Sequence, residues 1–244
     1  MIASKHPGHL DLLKLTRQHL VRIYPGTKRQ DSSNIDPIVY WIYGKHILQS
    51  IVSRQSHFQG VQMVALNYQS NDEAMCLQHG LFSDNGGCGY LLKPACLSDE
   101  NRLFNPKKKL SDRIKHVYIH VISGQHLPKE KHDIDHTDIV DPYVEISTFG
   151  IPTDRTEHRT TSVRNNGLNP IWDYKFTVNI HCPELCLIKF EVRDDDRRGP
   201  STFLGQACFP LEAIQCGYRH IKLKSKKGDF IHATLFVHIK IKDN

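Results

Sequence analysis

Two sets of side chains in this 244-residue sequence have the types and spacing for chemistry. The first is acidic. Asp133, Asp135, Asp138 and Asp141 lie close together, and Asp194, Asp195 and Asp196 are consecutive. Residues 111–244 carry 19 Lys/Arg against 18 Asp/Glu, so acids gathered this way in a balanced region need a counter-charge. Calcium, which takes about six to eight oxygens, is a common one; the alternative is a solvated loop face. Asp194 and Asp196 are two apart, so a strand-to-loop exit aims both at one ion. The second set is Arg22 and Tyr24, at i and i+2, which a strand places on one face. Alone, that pair reads as an ordinary surface strand. Residues 1–110 are mildly basic, 13 Lys/Arg against 8 Asp/Glu, which suits an anionic partner: nucleic acid, a phosphorylated ligand or an acidic membrane.

Other chemical signals are weaker. His116, Tyr118 and His120 share parity on one predicted strand and read as its polar outer face. His181 with Cys182-x3-Cys186 lacks the second pair that a zinc site needs. Gly86-Gly87-x-Gly89 has no Lys-Ser/Thr after it, so a nucleotide loop is not expected. Lys107–Lys109 reads as a solvated patch. Seven Cys without a C-x-x-C pair point to reduced thiols in an intracellular protein. No apolar run approaches the ~18–20 residues that cross a bilayer, and the N-terminus has no apolar signal core.

The elements that must hold these residues divide the chain. Segments 116–122, 143–146, 175–180, 187–192, 203–209, 220–223 and 233–241 have strand character, with Gly, Pro, Asn and Asp between them. They predict an antiparallel β-sandwich. Residues 98–112 read as a linker. Before it, residues 10–21 have a helical pattern, 22–24 a short strand, and 62–68 and 89–92 the apolar runs of buried parallel strands, with loops rich in Ser, Asn, Asp and Gly between them. That region looks like the tail of an α/β domain.

Specific strings then carry a resemblance. Arg22-Ile-Tyr-Pro with Arg29-Gln-Asp31-Ser32-Ser33-Asn34, Pro37 and Trp41 is one. Gln62-Met-Val-Ala-Leu-Asn67-Tyr-Gln69 and Asn85-Gly-Gly-Cys-Gly-Tyr90-Leu-Leu-Lys93-Pro94 follow. Together they resemble the Y-box of phosphoinositide-specific phospholipase C. Ile122-Ser-Gly-Gln-His-Leu-Pro128, Ile139-Val-Asp141-Pro142, Asn165-Asn-Gly-Leu-Asn169-Pro170, Phe203-Leu-Gly205-Gln206 and Gly217-Tyr-Arg-His220 resemble that family's C2 domain. The details look most like delta-type members.

The resemblance implies a fold: the last strands of a TIM-like barrel (1–97), a linker (98–112) and an all-β antiparallel C2 sandwich (113–244). A β/α barrel takes about 250 residues, so the X half is expected to be missing, and with it every catalytic residue. Residues 1–110 are then expected not to fold alone, since open strand edges would remain. Residues 42–60 form an insert relative to the family pattern, either a surface helix or intron-derived sequence. The resemblance assigns Arg22 to a ring phosphate of the headgroup and Tyr24 to the inositol ring. It assigns calcium to the backbone carbonyl of Ile139, to Asp141, Asn165, Asp194 and Asp196, and to Asp135 as a further acidic position. Thr202 stands where an acid is often found, and Arg197 and Arg198 follow Asp196, which weakens the site and offers direct lipid contact instead. The implied parent activity is hydrolysis of phosphatidylinositol 4,5-bisphosphate to inositol trisphosphate and diacylglycerol, with this chain alone inactive. The alternative is a non-catalytic C2 membrane-binding protein with a barrel remnant. Expected partners are an anionic membrane surface and a phosphoinositide headgroup, not nucleic acid. The expected state is a cytoplasmic monomer, peripheral to the membrane.

Overall fold

Alternation at every second residue builds most of what is seen. The computed structural model describes residues 16, 18–24, 31–43, 61–98, 104, 114–129, 139–196 and 199–243. The C-terminal part forms eight strands: β3 (Lys115–Gln125), β4 (Pro142–Phe149), β5 (Thr156–Arg159), β6 (Ile171–Ile180), β7 (Leu187–Asp194), β8 (Thr202–Pro210), β9 (Gly217–Lys224) and β10 (Phe230–Asp243). Their order is β5-β4-β7-β8-β9-β10-β3-β6, antiparallel throughout. The β8–β9 junction is a single pair, Gln206 with Lys224, so the sheet folds there into two four-stranded layers. Val117, Ile119 and Val121 of β3 point between the layers and meet Ile188, Phe190 and Val192 of β7 and Leu235, Val237 and Ile239 of β10. His116, Tyr118 and His120 alternate to the outside, as expected; His116 Nδ1 lies 2.7 Å from Asn179 Oδ1.

One glycine is required by packing. A Cβ at Gly124 would stand 2.8 Å from the Trp172 ring, which lies over it and donates from Nε1 to the Pro142 carbonyl at 3.0 Å.

The N-terminal part is less regular. β1 (Arg22–Ile23) and β2 (Met63–Val64) pair in parallel, with Met63 N–H on the Val21 carbonyl at 3.1 Å and Ala65 N–H on the Ile23 carbonyl at 2.8 Å. A π-helical turn covers Val39–Tyr43, and Val61 N–H returns to the Tyr40 carbonyl at 3.3 Å. Helix α1 (Glu73–Leu81) starts at Asp72, whose carboxylate caps Met75 N–H at 3.1 Å; α2 is Ala95–Ser98. The helix expected over 10–21 lies largely outside the described residues, though Thr16 and Gln18 are helical. Most of the 42–60 insert lies outside them as well.

Three expectations are corrected here. The 89–92 run is not a strand: Tyr90 and Leu92 are exposed, Leu92 at 96%. A parallel strand forms only against a hydrogen-bonding neighbour, and Gly87 and Gly89 hold left-handed φ of 70° and 81° beside it. The 62–68 run is strand only at Met63–Val64. Residues 73–81, read as loop, are helix α1.

The two parts share a second core. Ile38, Ile42, Cys76, Leu77, Leu97 and Phe104 pack against Ile151, Cys182, Leu187 and Cys208 of the sandwich. Phe104, within the segment read as linker, is thus buried in this seam.

Candidate functional site

At β1 and the residue that follows it, Arg22 and Tyr24 face outward while Ile23 turns in. The Arg22 guanidinium carbon stands 4.6 Å from the Tyr24 ring centroid, a cation–π contact that pre-orients the fork of donors. The start of β1 is held by Gln62: Val21 N–H donates to its Oε1 at 3.0 Å, and its Nε2 donates to the Thr16 carbonyl. Lys93 Nζ also reaches the Thr16 carbonyl, at 3.1 Å.

Behind this face, Asn34 and Asp72 tie two loops together. Asn34 N–H donates to Asp72 Oδ2 at 3.0 Å, and Asn34 Nδ2 donates to the Asn67 carbonyl at 3.0 Å. Ser70 Oγ donates to the Ser32 carbonyl at 2.6 Å. The Asp31–Asn34 and Gln62–Gln69 strings that stand out in the sequence are therefore scaffold for the site.

The expected cation end collects at the β4 and β7 termini. Asp141 N–H donates to Asp194 Oδ1 at 2.6 Å, and Asn165 N–H donates to Asp141 Oδ1 at 2.7 Å. Asn165 holds a left-handed φ of 51°, a conformation that asparagine tolerates. Asp195 N–H bonds the Asp141 carbonyl at 3.1 Å, locking the loops. Asp196 Oδ2 accepts from Thr202 Oγ1 at 2.8 Å, so the threonine at the expected acid position engages the neighbouring carboxylate. Ile139 is exposed beside them. Asp141, Asn165 and Asp194 are brought together; Asp196 faces Thr202; Asp135, Arg197 and Arg198 lie outside the described residues. The donors are all hard oxygens, the kind calcium takes. Among the described residues, no three His, Cys, Asp or Glu side chains converge as a metal-holding group.

Sequence reasoning missed the residues that hold the two parts in register. Lys189 of β7, with its side chain 9% exposed, lies 2.9 Å from Glu73 of α1 and 2.6 Å from Glu191. Burial alone lowers the Lys189 pKa, but the two carboxylates outweigh it and raise it above the usual lysine value. Burial likewise pushes Glu191 up, and Lys189 and Arg193 together bring it below the usual glutamate value. Cys76 lies beside Cys208, and Cys96 beside Cys182, across the same seam. Arg155 Nη2 pairs with Asp36 Oδ2 at 3.1 Å on its rim. A lysine in the middle of strand β7, on the same parity as the apolar Leu187, is the sequence signal that such a partner exists.

Comparison with known proteins agrees with this layout. The C2 domain profile matches residues 115–227. The profile of the phosphatidylinositol-specific phospholipase C Y domain matches 1–53 and 49–96, two overlapping pieces that meet inside the 42–60 segment. Human inactive phospholipase C-like protein 1 is 40% identical over 244 residues, covering 98% of this chain and 20% of that protein. Human 1-phosphatidylinositol 4,5-bisphosphate phosphodiesterase delta-1 is 41% identical over 229 residues, covering 92% of this chain and 28% of that protein. The crystal structure of L. pealei PLC21 superposes with a TM-score of 0.78 at 32% identity, covering 97% of this chain and 28% of that one. The chain spans about a fifth to three tenths of the length of the curated relatives it matches. With a Y-domain match over the N-terminal part, a C2 match over the antiparallel sandwich and a fold shared with PLC21 across 97% of its length, the chain belongs to the phosphoinositide-specific phospholipase C family, joining Y-domain sequence to a C2 domain.

Proposed function

We propose that these residues form the headgroup-contacting, membrane-facing C-terminal part of a phospholipase C that hydrolyses phosphatidylinositol 4,5-bisphosphate to inositol trisphosphate and diacylglycerol. The protein works as a monomer on the cytoplasmic surface of a membrane. The observation that carries this reading is the Arg22–Tyr24 pair, exposed at β1 and its exit, in a part that shares a core with the sandwich. Arg22 grips a ring phosphate through its planar fork, and Tyr24 packs on the inositol ring. Neither does the proton transfer, since a guanidinium stays protonated. On the family's pattern that chemistry belongs to the histidine pair of the X half, so residues 1–244 alone bind without turnover. In this reading the short β1–β2 pair is the remnant of the barrel's last strands.

At the other end, the Ile139 carbonyl, Asp141, Asn165, Asp194 and Asp196 make up the ligand set for calcium, with Asp135 as a further donor. The ion supplies positive charge between the loops and anionic lipid. With Thr202 in an acid's place the affinity is micromolar or weaker.

A radiolabelled-lipid assay tests the proposal. The 244-residue chain is expected to give no product, and the longest natural polypeptide containing it is expected to be active and to lose roughly tenfold or more on Arg22→Ala. Turnover by the short chain would overturn the division of labour. A second reading, a non-catalytic C2 membrane-binding protein, is favoured by the 40% identity to a relative named as inactive. It gains if the longer polypeptide is inert while vesicle binding persists.

A further inference from the structure

The outer faces of the two layers differ. The face of β7 and β8 is covered by α1 and the seam, while the face of β9, β10, β3 and β6 is open to solvent. Alternation and register place Lys222 and Lys224 of β9, Lys240 and Lys242 of β10, and Lys175 of β6 on that open face. The acid on its β6 row is Asp173, and it is engaged by His120 Nε2 at 2.5 Å and by Lys175 Nζ at 3.3 Å. The face is therefore strongly positive in a domain whose net charge is close to zero.

Its centre is aromatic. Tyr218 stands 65% exposed and stacks on Phe236 at 5.7 Å between ring centroids, and Phe236 stacks on His220 at 4.8 Å. Lys224 Nζ lies 4.9 Å above the Phe230 ring, and Lys242 Nζ lies 5.8 Å from the Tyr118 ring centroid. Both ammonium groups thus stand over ring faces on the solvent side of the sheet.

We propose that this sheet face is a second docking surface, for an anionic lipid bilayer, that works without calcium. The inference rests on the membrane reading above but uses different residues. Charge complementarity favours an anionic partner, and three features select a bilayer. A four-stranded face is broad and shallow, so a flat partner meets all five lysines together. Tyrosine with flanking lysines is the side-chain mixture that settles at a headgroup layer. The rings at the centre stack on one another, so they are not splayed to receive nucleic-acid bases. Lys222 and Lys224 lie toward the β-strand ends that also carry Asp141 and Asp194, and Lys240 and Lys242 toward the opposite ends. Docking on this face lays the sandwich on its side, whereas calcium would seat it on its loops.

The test is co-sedimentation of the 244-residue chain with phosphatidylcholine vesicles containing phosphatidylserine, with excess chelator and again with calcium. The native chain is expected to bind in chelator, and added salt is expected to weaken that binding. Lys222→Gln/Lys240→Gln/Lys242→Gln is expected to lose roughly 100-fold, at about fivefold per lysine near an anionic surface. These side chains are exposed, so the thermal midpoint should hold, and circular dichroism checks it. Tyr218→Ala should lose several-fold. Asp141→Asn should remove only the calcium-dependent increment, so failure of the loop-end reading stays distinguishable. No binding by the native chain in chelator, or native affinity in the triple variant, overturns the proposal. So does a triple variant that loses binding to polyglutamate while keeping vesicles, which would assign the face to an acidic protein.

Discussion

The two outer faces of the sandwich have the same two-residue period and opposite fates. On the covered face Lys189 is sunk between Glu73 and Glu191 and its neighbours are Leu187 and Cys208. On the open face Lys224 and Lys242 hold their ammonium groups over aromatic rings on the solvent side. The strand pattern decides which residues point outward. It does not decide whether outward means solvent. A lysine is cheap on one face and costly on the other, because a buried ammonium must be matched by carboxylates held in place.

Lys189→Ala should break this contrast most. It breaks the buried pair with Glu191, leaving that carboxylate to Arg193 alone, and is expected to cost about 3 kcal/mol, read from urea denaturation, against under about 0.5 kcal/mol for Lys240→Ala on the open face. Equal costs would mean that the seam does not bear on stability. Gly80→Ala comes next. Its Cβ would stand 2.5 Å from Cys208 Sγ and 2.7 Å from Cys208 Cβ, both belonging to strand β8. The overpacking should cost about 2 kcal/mol, part of which Cys208→Ala returns by removing the sulfur.

Acid sharpens the comparison further. Glu191 has its folded-state pKa below the unfolded value, so its contribution is present above the ordinary glutamate pKa and is lost as pH falls through the lowered one. Urea midpoints should therefore drop from about pH 5 downward, and Lys189→Met should flatten that dependence. The smallest effect belongs to the rim, where Arg155 and Asp36 are each 41% exposed. Arg155→Ala should shift stability by about 0.5 kcal/mol or less, and salt should erase the difference.

Much of the sandwich was legible in the sequence because Val117-x-Ile119-x-Val121 has counterparts on most of the strands. Strand β5, Thr-Glu-His-Arg, was not, because an edge strand with no buried side has no alternation to read. Helix α1 was hidden among polar loops, though Asp72 as its cap and the buried run Ala74–Leu77 were its signals. The apolar run at 89–92 shows the converse: hydrophobicity marks a strand candidate, and only a partner makes it a strand. At the site, the outward pairing of Arg22 and Tyr24 followed from parity. The Lys189–Glu73 contact spans 116 residues, so the lysine in β7 signals a partner without saying which residue it is. The turn of Asp196 toward Thr202 is likewise set by tertiary placement.

The hydrogen bond from Val61 to Tyr40 has a practical consequence for engineering. Ile42 and Val61 are both buried, with backbone contact already made between the two flanks. Closure entropy grows only as the logarithm of the span, about 0.6 kcal/mol for each doubling. Length between those anchors is therefore cheap. A fluorescent label or an affinity tag spliced between them should leave the seam undisturbed, which makes this junction the place from which to watch the molecule bind.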